Sequence, residues 1–564
     1  MQNYPGAESF ISVLNEKGVE NIFFNPGIDT VPVQVTASRL RSEGQKAPRL
    51  VLCLDESVAM AAAHGHYMIS GKPQVVMAHR ELGTLQVGGQ WTNVQAGHIP
   101  VLFCAGLPGR SGRTTWRGNP YDQGSIVRNN VKWDLEVAAD ESLADAASKA
   151  LDVALREPCG PVYLAPCWEA MLNANSKPAA ASPPPSASLR KADERLIRQA
   201  AQVMLEAKNP LILTGQSGRF AESVPNLVKL AETLGARVLS GPVRVNFPTD
   251  HDLCAGLDPI GGGSRSNAHF LGEADALLLI DYDLPYAPMQ VSLSDTTTII
   301  CLTLDSEKAS NALLGRKADI FLPADSREAI PALQAAAQLN LSGPKQKEIN
   351  SRKALITHEN HEARARLKAQ AESRSAQAPI CSDWLCLCLS RLVDDSTLLV
   401  NQTITQSSFV GEQIVRSRPH SLISCAGGSI GWALGAALGA KIASPDRTVV
   451  SLMGDGAFIW GCPESTLWTA SSYRAPFLSV VFNNRAYAAI KGLVQRAYGE
   501  EPLSAQTGFD SGVDIASPPD YARIAEACGA FGTTAKDPAE LPRLLKEALE
   551  QVKRGRAAVV DVWL

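Results

Sequence analysis

Gly454-Asp455-Gly456 and, just under thirty residues on, Asn483-Asn484 are the residues of this chain best suited to chemistry. A hard divalent cation takes carboxylate, amide and carbonyl oxygens, and Mg²⁺ commonly completes its shell with phosphate oxygens. The flanking glycines let backbone approach a phosphate closely. The surrounding elements bring the two pieces together. Gly454 follows the apolar run Thr448 to Met453, and the asparagines follow a second run, Phe477 to Phe482, so both runs read as buried strands. Between them, Pro463 to Tyr473 reads as a helix, with Pro463 and Glu464 suited to its first turn. A right-handed βαβ crossover makes the strands parallel and close. Asp455 and Asn484 then meet at the carboxyl edge of a sheet, where α/β proteins bind ligands. The pattern predicts a metal–diphosphate anchor.

The chain has 564 residues, which suggests three domains of ordinary size. Hydrophobic content of 45% with 20% charged residues is that of a globular protein in water. A net charge of −4 gives no reason to expect nucleic acid or a membrane surface as partner. The first residues carry neither a basic nor an apolar region of a signal peptide, and the apolar stretch Ala426 to Ala440 is too short to span a bilayer. Twelve cysteines without a CxxC pair read as reduced and buried, which points to the cytoplasm.

Asn173 to Ser188 is a linker of proline, alanine and serine, and Leu341 to Pro379 is polar with a helical stretch around Glu348 to Glu372. These cuts leave residues 1–172, 189–340 and 380–564, each alternating strand-like and helical runs. The expected fold is α/β, three consecutive doubly wound parallel-sheet domains. Strands are expected near Asn21–Phe24, Leu50–Leu54, Gln74–Ala78, Val101–Ala105 and Val162–Ala165 in the first. Leu211–Thr214, Arg237–Ser240, Ala276–Ile280 and Thr298–Leu302 follow in the second. Thr397–Val400, Thr448–Met453, Phe477–Phe482 and Ala557–Val562 complete the third.

The Gly-Asp-Gly to Asn-Asn spacing resembles the thiamine diphosphate motif, and the three-part layout is similar to the acetolactate synthase and benzoylformate decarboxylase group. That resemblance implies Mg²⁺ ligation by Asp455, Asn484 and the backbone of Ala486. It places Gly454, Gly456 and the backbone of Ala457 toward the diphosphate. In Ala426 to Gly431 it makes Ile430 the wedge under the bent cofactor, with the Gly428 carbonyl near its 4′-amino group. It implies a homodimer or homotetramer with the cofactor between subunits.

Activating that cofactor takes a carboxylic acid beside the aminopyrimidine ring, shielded from water so that its pKa rises. Glu56 fits, because it ends the strand-like run from Leu50 and begins a helix of small residues expected to pack on the sheet. His79 ends the strand Gln74 to Ala78, where decarboxylase-like sequences carry an active-site histidine and acetolactate synthases a Gly-Pro-Gly turn. Such a ring can shuttle a proton at the carbonyl oxygen or carbon. Asn25 and Pro26 belong to a loop resembling that of the decarboxylase, but Ile28 stands where a serine is usual. The second histidine expected near Pro288 is missing. Ile28, Trp460, Tyr487, Ile490 and Leu493 are candidates for an apolar substrate wall, the last three on a lid-like run.

The sequence therefore predicts cleavage or formation of a C–C bond beside a carbonyl, chiefly decarboxylation of a 2-oxo acid with acyloin carboligation. Three alternatives stay open. One is an acetolactate synthase-like transferase, for which FAD in the middle domain is conceivable although no motif supports it. Another is a lyase or hydrolase acting on a diketone or 2-hydroxyacyl thioester. The third is a degenerate subunit serving assembly, which predicts loss of Glu56 or of the metal ligands, and neither is lost.

Overall fold

The computed structural model describes residues 4–109, 122–173, 190–260, 267–283, 292–313, 315–498, 507–508 and 511–564. Beyond its first residue, the expected linker Asn173 to Ser188 lies outside them, as does Pro288.

The first sheet contains β1 (Asn21–Phe24), β2 (Arg49–Leu52), β3 (Gln74–Ala78), β4 (Val101–Ala105), β5 (Trp133–Val137) and β6 (Val162–Pro166). The second contains β7 (Pro210–Thr214), β8 (Arg237–Ser240), β9 (Cys254–Leu257), β10 (Ala276–Ile280), β11 (Thr298–Leu302) and β12 (Ile320–Leu322). The third contains β13 (Leu398–Gln402), β14 (Leu422–Ser424), β15 (Val449–Gly454), β16 (Leu478–Asn483), β17 (Phe531–Ala535) and β18 (Ala558–Trp563). Every pairing is parallel. Strands β5, β9, β12, β14 and β17 were not expected from the sequence.

The first sheet runs β2-β1-β3-β4-β6-β5 and the third β14-β13-β15-β16-β18-β17, the same order twice. The second runs β12-β11-β10-β7-β8-β9, which is the 3-2-1-4-5-6 order read from its other edge. In the outer sheets the chain direction across the sheet reverses between β1 and β3, and between β13 and β15. Ligands of open α/β sheets sit in the crevice at such reversals, outside the strands' carboxyl ends. Asn25 and His79 follow β1 and β3, and Thr403 and Asp455 follow β13 and β15.

The Glu56–Ser70 helix does more than cover its own sheet. Its small residues lie against the Trp432–Ala443 helix of the third unit, so the expected packing on the sheet is only half of the arrangement. A Cβ on Gly439 would lie 1.8 Å from the Ala62 carbonyl oxygen, one on Gly65 2.2 Å from that of Ala436, and one on Gly435 2.6 Å from Ala61 Cβ. Glycine is required there because the two backbones touch. This contact fixes the first unit to the third within one chain.

The polar stretch after the second unit forms one helix of 31 residues, Gly343–Ser373. Arg352 donates to the carbonyls of Ala207, Leu234 and Gly235 at 2.9, 2.6 and 2.9 Å. Arg364 donates to those of Asp250 and His251 at 3.0 and 2.6 Å. These bonds satisfy carbonyls that helix ends and loops of the second unit leave open.

Candidate active site

At the reversal of the first sheet, Glu56 is the first residue of its helix, and Asp55 is the cap, its carboxylate accepting from the Ser57 N–H at 2.8 Å. Glu56 is 7% exposed. Burial pushes its carboxyl above the ordinary range, against a hydrogen bond from the Asn25 side chain and the field of His79. Gly83 keeps the space beside it clear, since a Cβ there would sit 2.9 Å from Glu56 Oε1. Asn25, Glu56 and His79 thus come together although they end three different strands.

His79 Nδ1 lies 2.5 Å from Asp29 Oδ1. Asp29 drew no attention in the sequence, and it is 4% exposed. Only its place in the loop after β1, facing the end of β3, could have signalled it. His64 and His66 are both buried in the same helix as Glu56.

At the reversal of the third sheet, β15 and β16 pair with Gly454 opposite Phe482, so the expected βαβ unit forms. Asp455 opens a short helix, Asp455–Trp460, that was not expected from the sequence, and the Pro463–Ser472 helix follows. Asp455 is 2% exposed, and burial raises its carboxyl despite backbone N–H groups of Gly456, Arg485 and Ala486. Its Oδ1 accepts from the Gly456 N–H at 2.8 Å, while Oδ2 has no partner among the described residues. Asn484 Oδ1 accepts from the Ala486 N–H at 3.0 Å. Asn483 instead donates to Asp561 at 2.9 Å and is fully buried, which leaves Asn484 as the one facing the site's loop.

These residues fit a Mg²⁺-held diphosphate. A buried carboxylate oxygen without a donor calls for a cation, and Asn484 and the Ala486 carbonyl add neutral oxygens of the kind Mg²⁺ takes. A Cβ on Gly454 or Gly428 would meet nothing within 4 Å, so space lies beside both. Among the described residues no three His, Cys, Asp or Glu side chains form a metal cluster.

The turn before the Trp432–Ala443 helix is held from both sides. Ser429 exchanges two hydrogen bonds with the Asn93 side chain, at 3.0 and 3.1 Å. Gln402, at the end of β13, donates to the Ser429 carbonyl at 2.9 Å and accepts from Trp432 and Ala433 at 2.9 and 3.1 Å. Neither Asn93 nor Gln402 was foreseen. Ile430 is partly buried against the core shared by the first and third units. Ala457 is buried.

The candidate wall residues are exposed on one chain, Ile28 by 68%, Trp460 by 60%, Leu493 by 53%, Ile490 by 51% and Tyr487 by 40%. Trp460 Nε1 donates to the Tyr487 hydroxyl at 3.4 Å, and Ile490 and Leu493 lie on a helix, Ala488–Tyr498. Leu54, Leu82 and Leu85 are also exposed near the first cluster.

Three sequence families match along the chain, the N-terminal TPP binding domain (residues 5–126), the central domain (197–333) and the C-terminal TPP binding domain (403–562) of thiamine pyrophosphate enzymes. The chain belongs to the thiamine pyrophosphate enzymes. It is 27% identical over 499 residues to benzoylformate decarboxylase of Pseudomonas aeruginosa, covering 85% of this chain and 86% of that protein. It is 25% identical over 574 residues to the large subunit of acetolactate synthase isozyme 3 of Escherichia coli, covering 100% and 95%. Its fold matches the thiamine diphosphate-dependent 4-hydroxybenzoylformate decarboxylase of Rhodococcus jostii RHA1 with a TM-score of 0.79 at 23% identity, over 99% of this chain and 98% of that one. Among the thiamine pyrophosphate enzymes it falls in the 2-oxo acid decarboxylase and acetolactate synthase-like group. No helix among the described residues is long and apolar enough to cross a membrane.

Proposed function

We propose that this enzyme is a Mg²⁺-dependent lyase that decarboxylates a 2-oxo acid and can pass the acyl fragment to a second carbonyl, with residues 1–172, 189–340 and 380–564 as its domains. The observation that carries the reading is Glu56, a carboxyl buried and driven toward its protonated form at the reversal of the first sheet. The protonated form of a carboxyl, which burial favours, can donate a hydrogen bond to a ring nitrogen.

Asp455, Asn484 and the Ala486 carbonyl would hold Mg²⁺, and the backbone of Gly454, Gly456 and Ala457 would receive the diphosphate. Glu56 would donate to the aminopyrimidine ring, Ile430 would support the bend between the rings, the Gly428 carbonyl would accept from the 4′-amino group, and Asn25 and Pro26 would border the ring. When bound, the cofactor supplies a thiazolium carbon that adds to a carbonyl and stores the electron pair released with CO₂. His79 moves a proton at the substrate's carbonyl oxygen or at the carbon that loses CO₂. Ile28, Trp460, Tyr487, Ile490 and Leu493 exclude water once covered.

The exposed apolar residues around both clusters support a site completed by a second copy, the first unit of one facing the third unit of the other, as homodimer or homotetramer. The relatives include transferases, which favours carboligation as the second reading. Cysteine usage supports a cytoplasmic location. FAD finds no supporting motif.

Glu56→Gln tests the reading. Titration calorimetry with Mg²⁺ should give thiamine diphosphate binding near wild type, while turnover of a panel of 2-oxo acids, with and without benzaldehyde as acceptor, falls at least about 100-fold. Wild-type turnover in this variant overturns the assignment. Aldehyde product alone marks a decarboxylase, and coupled product a carboligase.

A further inference from the structure

Asp29 uses both carboxylate oxygens in a way that leaves one arrangement of its neighbour. Oδ1 faces His79 Nδ1 at 2.5 Å, while Oδ2 accepts from the Gly106 N–H at 2.7 Å and the Arg80 N–H at 3.3 Å. The pair is built into the backbone around it. A Cβ on Gly27 would lie 2.3 Å from His79 Nδ1, and one on Gly106 2.5 Å from Asp29 Cβ. The loop carrying Asp29 is folded back by the Gly27 N–H donating to Thr30 Oγ1 at 3.0 Å. Asp29 is thus immobilised and buried, whereas the His79 side chain keeps 29% of its surface exposed.

We propose that Asp29 is a positioning residue that fixes His79 with its proton on Nδ1 and leaves Nε2 to exchange a proton with substrate. This rests on the reading of His79 given above. An ionised carboxylate only accepts hydrogen bonds, so the ring nitrogen facing it must donate. The other nitrogen is then the basic one, held in one orientation by a partner that is itself tied to two backbone N–H groups.

The same geometry predicts what the near-isosteric change does. In Asp29→Asn the Gly106 and Arg80 N–H groups still need an oxygen, so the amide oxygen stays with them and the NH₂ turns toward Nδ1. That nitrogen must then accept, and the imidazole proton moves through solvent from Nδ1 to Nε2. No charge is gained or lost on the neutral ring, but the nitrogen offered to substrate now carries the proton in the wrong half of the cycle.

Nitrogen NMR of ¹⁵N-histidine-labelled protein without cofactor, recorded at alkaline pH, reads the tautomer directly, with His79 assigned by its absence in His79→Ala. The wild type should show a protonated Nδ1 and an unprotonated Nε2, and Asp29→Asn the reverse. On the 2-oxo acid that the wild type consumes fastest, kcat of Asp29→Asn should fall about 100-fold with KM little changed. A wild-type ring protonated on Nε2, or an Asp29→Asn ring that keeps the wild-type tautomer, overturns the proposal, and this needs no substrate. Loss of activity in His79→Ala with wild-type kcat in Asp29→Asn overturns the role of Asp29 and spares that of His79. Full activity in His79→Ala overturns both.

Discussion

Gly439→Ala should destabilise the protein, against the usual effect of replacing a helix glycine. In a helix with free surroundings, alanine is about 1 kcal/mol better than glycine. Here the new Cβ would lie 1.8 Å from the Ala62 carbonyl oxygen and 2.6 Å from its carbonyl carbon. A carbon normally approaches a carbonyl oxygen to about 3.3 Å, so the two helices must part by about 1.5 Å. Overpacking costs about 1–3 kcal/mol, and the upper end applies because the obstacle is backbone and cannot swing away. Set against the propensity gain, the net loss is about 2 kcal/mol. Differential scanning fluorimetry should show Tm falling by about 4–8 °C. Gly492→Ala is the control, since a Cβ there meets nothing within 4 Å in the Ala488–Tyr498 helix and should leave Tm unchanged or slightly raised. The two helices also carry Glu56 and the Gly428–Gly431 turn at their starts, so Gly439→Ala should weaken thiamine diphosphate uptake as well. A Gly439→Ala protein as stable as the wild type would refute the close contact.

Asp455→Ala removes the orphaned oxygen and should abolish Mg²⁺-dependent thiamine diphosphate binding in calorimetry, whereas unchanged affinity would rule out that ligand. His64 has no hydrogen-bond partner for either ring nitrogen among the described residues, and burial holds its pKa down to about 3. It stays neutral in the fold but protonates on unfolding below about pH 6.5, so stability is full above that value and is lost as pH falls, by up to about 1.4 kcal/mol per unit. His64→Phe should flatten the decline of denaturation midpoint between pH 6.5 and 4.5, with equal slopes counting against the argument. Sedimentation should find the wild type as a dimer or larger, and Leu82→Glu with Leu85→Glu should lower both the mass and the activity. A fully active wild-type monomer would end the shared-site reading.

Apart from the edge strand Arg49–Leu52, the strands that the sequence displayed are largely buried, such as Val449–Gly454 and Leu478–Asn483, because a parallel strand between two helical layers must be apolar throughout. Those it hid are β5, β9, β12, β14 and β17, and every one is a sheet edge. Trp133–Val137 and Phe531–Ala535 are largely half-exposed, so their composition does not separate them from loop. The site divides in the same way. Asp455 and Asn484 were legible because a single βαβ unit sets their spacing, and Glu56 because a strand ends and an alanine-rich helix begins. Asp29 was not, since its partner is 50 residues away and only the pairing of β1 with β3 brings them together. Asn93 lies 336 residues from Ser429, and nothing local marks either as the other's partner. The two small-residue helices were each visible, but their contact depends on how the first and third units dock.

The long Gly343–Ser373 helix sets a rule for anyone transplanting the middle unit into a related scaffold. Cut at the end of the last strand's helix, near Leu339, the excised piece would lose the guanidinium groups of Arg352 and Arg364 and the Asn360 amide, which donates to the Asp252 carbonyl at 2.7 Å. The peptide oxygens of Ala207, Leu234, Gly235, Asp250 and His251 would then turn to solvent, and the apolar side chains of Ile349 and Ile356 would leave the core they complete. A chimera that carries the cassette through Ser373 keeps its own clasp.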